Sequence, residues 1–190
     1  MNHPDQILPV PDGYRTRDAA LFAASLDDQS ALLAADLEGI SADELGWQPA
    51  PGMNTIGMLL AHIAIVEVFW TQVGLEGRPQ DVKTPLGIGI DDDGLPIKEG
   101  AAPPANLAGR DLAFYLDLFA RARAYFKRVA RALSEEDLEV VRARMRRDGS
   151  TSTSHQVRWV LYHQLEHFSG HYGQILLLRH QYRAARAAVR

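Results

Sequence analysis

Histidines are the residues in this sequence whose type and spacing could support chemistry. Five of the seven lie between positions 155 and 180, and three of these, His163, His167 and His171, recur every four residues. On an α-helix each step of four rotates the side chain by only about 40°, so neighbouring members of the series can share one metal ion. His163 and His171 would be about 12 Å apart along the axis, too far to share one. The spacing therefore predicts a metal-binding pair of His167 with either His163 or His171.

A third ligand must come from another element, because metal sites with open positions usually have three protein ligands. His62 is the candidate, since it lies between apolar residues such as Leu60 and Ile63 in a segment that should face the core. A buried imidazole needs a hydrogen-bond partner or a metal ion to offset its desolvation. A hydrogen-bonded core histidine is the simpler interpretation, but the histidine series elsewhere in the chain favours metal binding.

The composition argues against several other functions. There is no cysteine, which removes disulfides, thiolate ligands and a cysteine nucleophile. The formal net charge is −4, and we expect the one basic stretch, residues 142–147, to be a solvated connection and not a nucleic-acid site. The N-terminus does not resemble a secretory signal, and the apolar stretch at 56–70 is shorter than the roughly 20 residues that cross a bilayer. We therefore expect a soluble, cytoplasmic protein without nucleic-acid or membrane partners.

Four long helices must position the histidines. Apolar residues recur at spacings of three and four, which predicts helices over about 16–37, 55–73, 107–133 and 155–183. Ser41 with Glu44 indicates a short capped turn, and Asn54 can cap the second long helix. No segment has a strand pattern strong enough to build a sheet. The sequence thus predicts one all-α domain over residues 1–190, a four-helix bundle.

A long connection joins the second and third of these helices. Residues 74–106 are rich in glycine and proline and include the acidic run Asp91, Asp92 and Asp93. Loops of this length usually have a function or are disordered. We expect part of the connection to cover one end of the bundle and to shape access to the metal, although the acidic run could instead be an exposed tip. Its length also allows the second and third helices to lie parallel, in an up-down-down-up arrangement.

Two segments resemble the DinB/YfiT-like superfamily of metal-binding four-helix bundles, which includes thiol-dependent transferases. They are residues 46–56, GWQPAPGMNTI, which lead into His62, and residues 167–175, HFSGHYGQI. The resemblance implies His62, His167 and His171 as the ligands, and so selects His171 over His163. It also implies nickel, zinc or a similar divalent ion, and a homodimer.

The function we expect follows from this ligand set. Three neutral imidazoles leave a divalent ion with its positive charge and with open positions, so it can hold a thiol as thiolate. We expect a metalloenzyme that transfers or adds a low-molecular-weight thiol to an electrophilic small molecule. The alternatives are a hydrolase with a metal-bound hydroxide and a non-catalytic protein in which the metal clamps two helices.

No side chain is assigned a catalytic role, and no organic cofactor is expected. Glu166 and Glu67 point about 100° and 140° away from His167 and His62 on their helices, and Glu67 is a better partner for another helix or for solvent. Gln174 lies almost on the face of His167, where it could orient a bound ligand or form an interhelical hydrogen bond.

Overall fold

Helices dominate the chain, as the sequence predicts. The computed structural model describes residues 7–145 and 151–188. Within these residues the α-helices are α1 (Arg17–Asp36), α2 (Ala42–Gly46), α3 (Ile56–Trp70), α4 (Lys83–Leu86), α5 (Leu112–Ala130), α6 (Glu135–Glu139) and α7 (Val157–Ala187). Strands β1 (Val141–Met145) and β2 (Thr151–Gln156) form one antiparallel hairpin. The predicted all-α class is confirmed.

Three of the four long helices, α1, α3 and α5, begin where the sequence supplies a capping side chain. Thr16, Thr55 and Asp111 each accept a hydrogen bond from the backbone N–H three residues further on. Such a bond satisfies one of the amide groups that a helix leaves unpaired at its start. The cap of α3 is thus Thr55 and not Asn54. Helix α5 begins after its own cap, five residues later than the predicted start at position 107.

Helix α3 packs against both α5 and α7, and α1 packs against the same two helices. Gly57, in the first turn of α3, lies so close to Tyr115, near the start of α5, that a Cβ at position 57 would collide with the tyrosine hydroxyl. Further along both helices, Glu67 of α3 contacts Arg123 of α5. The two contacts advance in the same direction along α3 and α5. The up-down-down-up arrangement of the whole bundle stays a prediction.

A buried ion pair joins these two helices. The guanidinium of Arg123 donates to both carboxylate oxygens of Glu67, at 2.7 and 3.1 Å. Asp27 and Ser30 of α1 accept its remaining hydrogen bonds, at 2.9 and 3.1 Å. Glu67 therefore has the helix partner that the sequence favoured. Because both charges are buried, each depends on the other for compensation.

Helix α3 continues beyond its α-helical part as one π-helical segment, Thr71–Glu76. The predicted helix over 55–73 therefore changes its hydrogen-bonding pattern after Trp70 instead of ending at position 73. With this extension the helix has 21 residues and is long and apolar enough to cross a membrane, which corrects the expectation that it is too short. Most of it, 78% of the most apolar window, is buried inside the protein, as expected of a core helix.

The hairpin of β1 and β2 was not predicted. The sequence predicts a solvated connection over 142–147, but Val141–Met145 pairs with Thr151–Gln156. Both strands are largely polar, so no alternation of apolar residues indicates them. Residues 146–150 lie outside the described residues. Helix α7 begins two residues later than predicted, and His155 belongs to β2.

Candidate metal centre

Three imidazoles converge where α3 passes α7. Nε2 of His62 lies 3.2 Å from Nε2 of His167, and Nε2 of His171 lies 3.1 Å from the same atom. The candidate ligand atoms of all three residues lie within 4.8 Å of one another. Two nitrogens that bind one ion at about 2.0–2.1 Å are about 2.9–3.4 Å apart for bond angles between octahedral and tetrahedral. The separations of 3.2 Å between His62 and His167 and of 3.1 Å between His167 and His171 fall within this range. The three histidines are therefore placed to hold a metal ion.

The outer nitrogens of two rings determine where the lone pairs point. Nδ1 of His62 donates to the carboxylate of Asp93 at 2.8 Å, and Nδ1 of His171 donates to the amide oxygen of Gln174 at 3.0 Å. A neutral imidazole carries one proton, so these partners assign a lone pair to Nε2 of both rings. Nε2 of His167 can donate to only one of its two neighbours. At least one lone pair in the cluster is therefore left without a proton, and a cation would satisfy it.

Burial favours the neutral form of two histidines in the cluster, His167 and His171. The pKa of His167 is lowered to about 3, chiefly by desolvation and to a smaller extent by the neighbouring imidazoles. Desolvation also lowers the pKa of His171, an effect that the hydrogen bond with Gln174 partly opposes. Because a histidine must be neutral to bind a metal, both residues can act as ligands at neutral pH.

Asp93 is the residue of this site that the sequence did not identify. It lies in the long connection and is only 1% exposed. One carboxylate oxygen bonds His62, and the other accepts a hydrogen bond from the backbone N–H of Leu95 at 2.9 Å. A carboxylate behind a metal-binding histidine fixes the ring orientation and raises the basicity of the ligand. The acidic run was the available signal, but no spacing rule selects one of its three members.

The segment that precedes α3 holds this connection in place. The side-chain amide of Gln48 donates to the carbonyls of Met53 and Ala101, at 2.8 and 2.9 Å. The backbone N–H of Gly52 also donates to Ala101, at 3.0 Å. Gly52 has φ +82°, and a Cβ there would lie 2.7 Å from the backbone of the connection, so only glycine fits. Residues 46–56, one of the two segments that carry the family resemblance, thus act on the site indirectly. They anchor the connection that contains Asp93.

His163 stands apart from the convergent group. Its Nδ1 bonds Glu166 at 3.0 Å, and its ring stacks on Trp159 with centroids 4.6 Å apart. Among the described residues, the group placed to bind a metal contains His171 and not His163. Gln174 bonds His171 within the same helix. The sequence did not suggest this arrangement.

A pocket of about 350 Å³ lies beside His62 and His167. Its apolar lining comes from α3 and from the connection, and consists of Ile65, Val66, Phe69, Trp70, Ile90 and Leu95. Asp91, Asp93 and His163 supply the remaining polar groups. A small molecule in this pocket would therefore contact two of the three clustered imidazoles.

The fold and site define a helical protein with a candidate three-histidine metal centre. The chain belongs to the mycothiol-S-transferase family, whose model matches residues 21–184. This match covers most of the sequence and includes the three histidines and Asp93. The family is one of thiol S-transferases, in agreement with the class expected from the sequence. Comparison with curated proteins gives no match.

Proposed function

We propose that this protein is a mycothiol S-transferase that joins the sulfur of the thiol to an electrophilic carbon of a small molecule. One divalent ion, bound by His62, His167 and His171, supports the reaction. The observation that carries this proposal is the convergence of the three Nε2 atoms beside a pocket, in a family named for this thiol. The chain has no cysteine, so the reacting sulfur comes from the substrate.

The donor set suits the ion that the proposal requires. Imidazole is a common ligand of zinc and nickel, and three neutral imidazoles leave the ion its full positive charge. When bound, such an ion lowers the pKa of a thiol and so favours the nucleophilic thiolate.

The side chains around the cluster have two further tasks. Asp93 and Gln174 hold the rings of His62 and His171 so that Nε2 of each ring faces the cluster. Side chains of the pocket, such as Phe69 and Leu95, lie beside the cluster, where they can contact the electrophile.

We place the reaction in the cytoplasm, where low-molecular-weight thiols stay reduced. The homodimer implied by the family resemblance remains a prediction, and analytical ultracentrifugation tests it.

The test uses metal-loaded protein, mycothiol and the chromogenic electrophile 1-chloro-2,4-dinitrobenzene. We expect thioether formation and chloride release that depend on both metal and thiol. His167→Ala should abolish the enzymatic rate, whereas His180→Ala, at an exposed position of the same helix, should retain it. Equal rates with and without metal would overturn the proposal, and turnover without thiol would indicate hydrolysis instead.

A further inference from the structure

We propose a second binding site in this protein, a cavity beside α2 that binds a small organic amine carrying a hydroxyl group. The cavity has a volume of about 360 Å³, within the range of about 300–1,000 Å³ that is typical of ligand pockets. Among the described residues, this cavity and the pocket beside the histidine cluster have no lining residue in common. The proposal therefore concerns a separate site and goes beyond the proposed function.

The walls of the cavity come from distant parts of the chain. Helix α2 contributes Leu45, the end of the connection contributes Pro103 and Pro104, and Leu107 and Tyr115 follow in the chain. Leu45, Leu107 and Tyr115 are at most 5% exposed, so these side chains are held by the core. Side chains that are already ordered favour the hydrocarbon part of a ligand at little additional entropic cost.

The hydroxyl of Tyr115 is a buried polar group without a protein partner. Tyr115 is 1% exposed, and in the part of the chain that the structure describes its hydroxyl forms no hydrogen bond. The hydroxyl lies against the first turn of α3, where a Cβ on Gly57 would collide with it and would lie 3.3 Å from the carbonyl oxygen of Leu45. Leu45 and Tyr115 both line the cavity. Because a buried hydroxyl is costly to leave unpaired, a ligand oxygen that bonds it is favoured.

The phenol of Tyr115 stays protonated at neutral pH. Desolvation raises its pKa to about 12, and the charge of Arg110 opposes this shift only in part. The guanidinium of Arg110 has its own partners, because it lies over the ring of Phe114 at 4.6 Å and donates to the carbonyl of Asn106 at 3.0 Å. Arg110 does not belong to the described lining. Tyr115 can therefore both donate to a ligand hydroxyl and accept from it.

Asp43 supplies the charge of the cavity. It lies in the first turn of α2, where its exposed carboxylate forms no hydrogen bond or ion pair with the other described residues. Its neighbour Glu44, in contrast, is paired with Arg179 at 3.2 Å. The described lining includes neither lysine nor arginine. An ammonium group would thus meet an unpaired carboxylate, whereas an anion would be repelled by it.

Three related molecules separate the contributions of these two polar groups. The probe 4-(hydroxymethyl)benzylamine carries an ammonium group, an apolar ring and a hydroxyl group. The molecule 4-methylbenzylamine lacks the hydroxyl group, and 4-methylbenzyl alcohol lacks the ammonium group. Differences in affinity between the probe and each analogue therefore report on one polar contact at a time.

The experiment measures binding to the zinc-loaded protein by the methyl NMR shifts of Leu45 and Leu107, which line the cavity. We expect the probe to bind more tightly than either analogue. The methyl groups of Ile65 and Ile90 line the other pocket and should not shift. Dissociation constants in the absence of metal should be the same, because the proposed site includes no metal ligand.

Two variants test the two contacts. Tyr115→Phe should weaken binding of the probe about two- to tenfold and leave 4-methylbenzylamine unaffected, since only the probe bonds the phenol. Asp43→Asn should weaken both amines about two- to fivefold and leave the alcohol unaffected. Asp28→Asn removes the same charge from an exposed position of α1 and is the matched control, which should bind all three molecules as the wild type does.

Stability provides a further test of the unpaired hydroxyl. Tyr115→Phe should not lower the midpoint of urea unfolding, because it removes a buried polar atom that has no protein partner. Methyl shifts confined to Ile65 and Ile90, or equal losses of amine affinity in Asp43→Asn and Asp28→Asn, would overturn the proposal. So would unchanged binding of the probe in Tyr115→Phe. None of these measurements uses turnover, so the proposed function and this site can fail independently of each other.

Discussion

Oδ2 of Asp93 lies 2.8 Å from Nδ1 of His62, and this bond joins the long connection to a candidate metal ligand on α3. The carboxylate is buried, and its second oxygen bonds the backbone of the connection at Leu95. The conformation of the connection and the orientation of the His62 ring therefore depend on each other.

Asp93→Asn should weaken metal binding about 10- to 100-fold, because the variant loses the charge that raises the basicity of His62. The measurement is competition for zinc with a chromophoric chelator. Asp92→Asn is the matched control, since the Asp92 carboxylate bonds the backbone of Gly89 and no histidine. Equal losses in the two variants would show that the acidic run acts through its overall charge and not through the bond to His62.

Gln174 should support His171 in the same way through its amide oxygen. Gln174→Leu removes the acceptor and should weaken metal binding about tenfold. Gln174→Glu keeps an acceptor and should retain affinity close to that of the wild type. The same chelator competition tests both variants, and equal affinities of the leucine and glutamate variants would show that the hydrogen bond is unimportant.

The buried ion pair of Glu67 and Arg123 should contribute to stability only while both partners are present. Arg123→Met leaves a buried carboxylate without its partner and should lower the free energy of unfolding by about 3–5 kcal/mol. The double variant Arg123→Met, Glu67→Leu should lose less. Asp117→Ala breaks an exposed pair with Arg121 and should cost less than about 1 kcal/mol. Urea unfolding measures all three, and a double variant less stable than Arg123→Met would contradict this account.

The metal-free protein should lose stability as the pH falls from about 6.5 towards 3. The pKa of His167 is lowered to about 3 in the folded protein, against an ordinary value near 6.5 when unfolded. Between these values the unfolded chain binds the additional proton, so acid favours unfolding. His167→Phe should reduce the loss between pH 7 and pH 5 by about 1–2 kcal/mol. Urea unfolding in the presence of a chelator measures this; parallel pH profiles for the variant and the wild type would contradict it.

The sequence predicts the helical elements well because their signals are local. Periodic apolar residues indicate the four long helices, and boundaries shift by a few residues where a cap such as Asp111 lies inside the predicted range. The hairpin of β1 and β2 escapes prediction because its polar strands are specified by their pairing with each other and not by burial.

The candidate site could be predicted only in part. Helical spacing brings His167 within reach of both His163 and His171, and only the family resemblance selects between the two pairs. Asp93 could not be predicted, because its position depends on contacts between distant loops, such as that of Gln48 with Ala101. The pocket depends on the same connection, since Ile90 and Leu95 complete its apolar lining.

We propose that His62, His167 and His171 together bind one divalent ion. Isothermal titration of zinc into the metal-free protein, at neutral pH, tests it most directly. We predict one ion per chain in the wild type and in His163→Ala, and at least 100-fold weaker binding when any one of the three ligands is replaced by alanine. Binding that persists in the triple alanine variant, or that is lost in His163→Ala and kept in His171→Ala, would contradict the account.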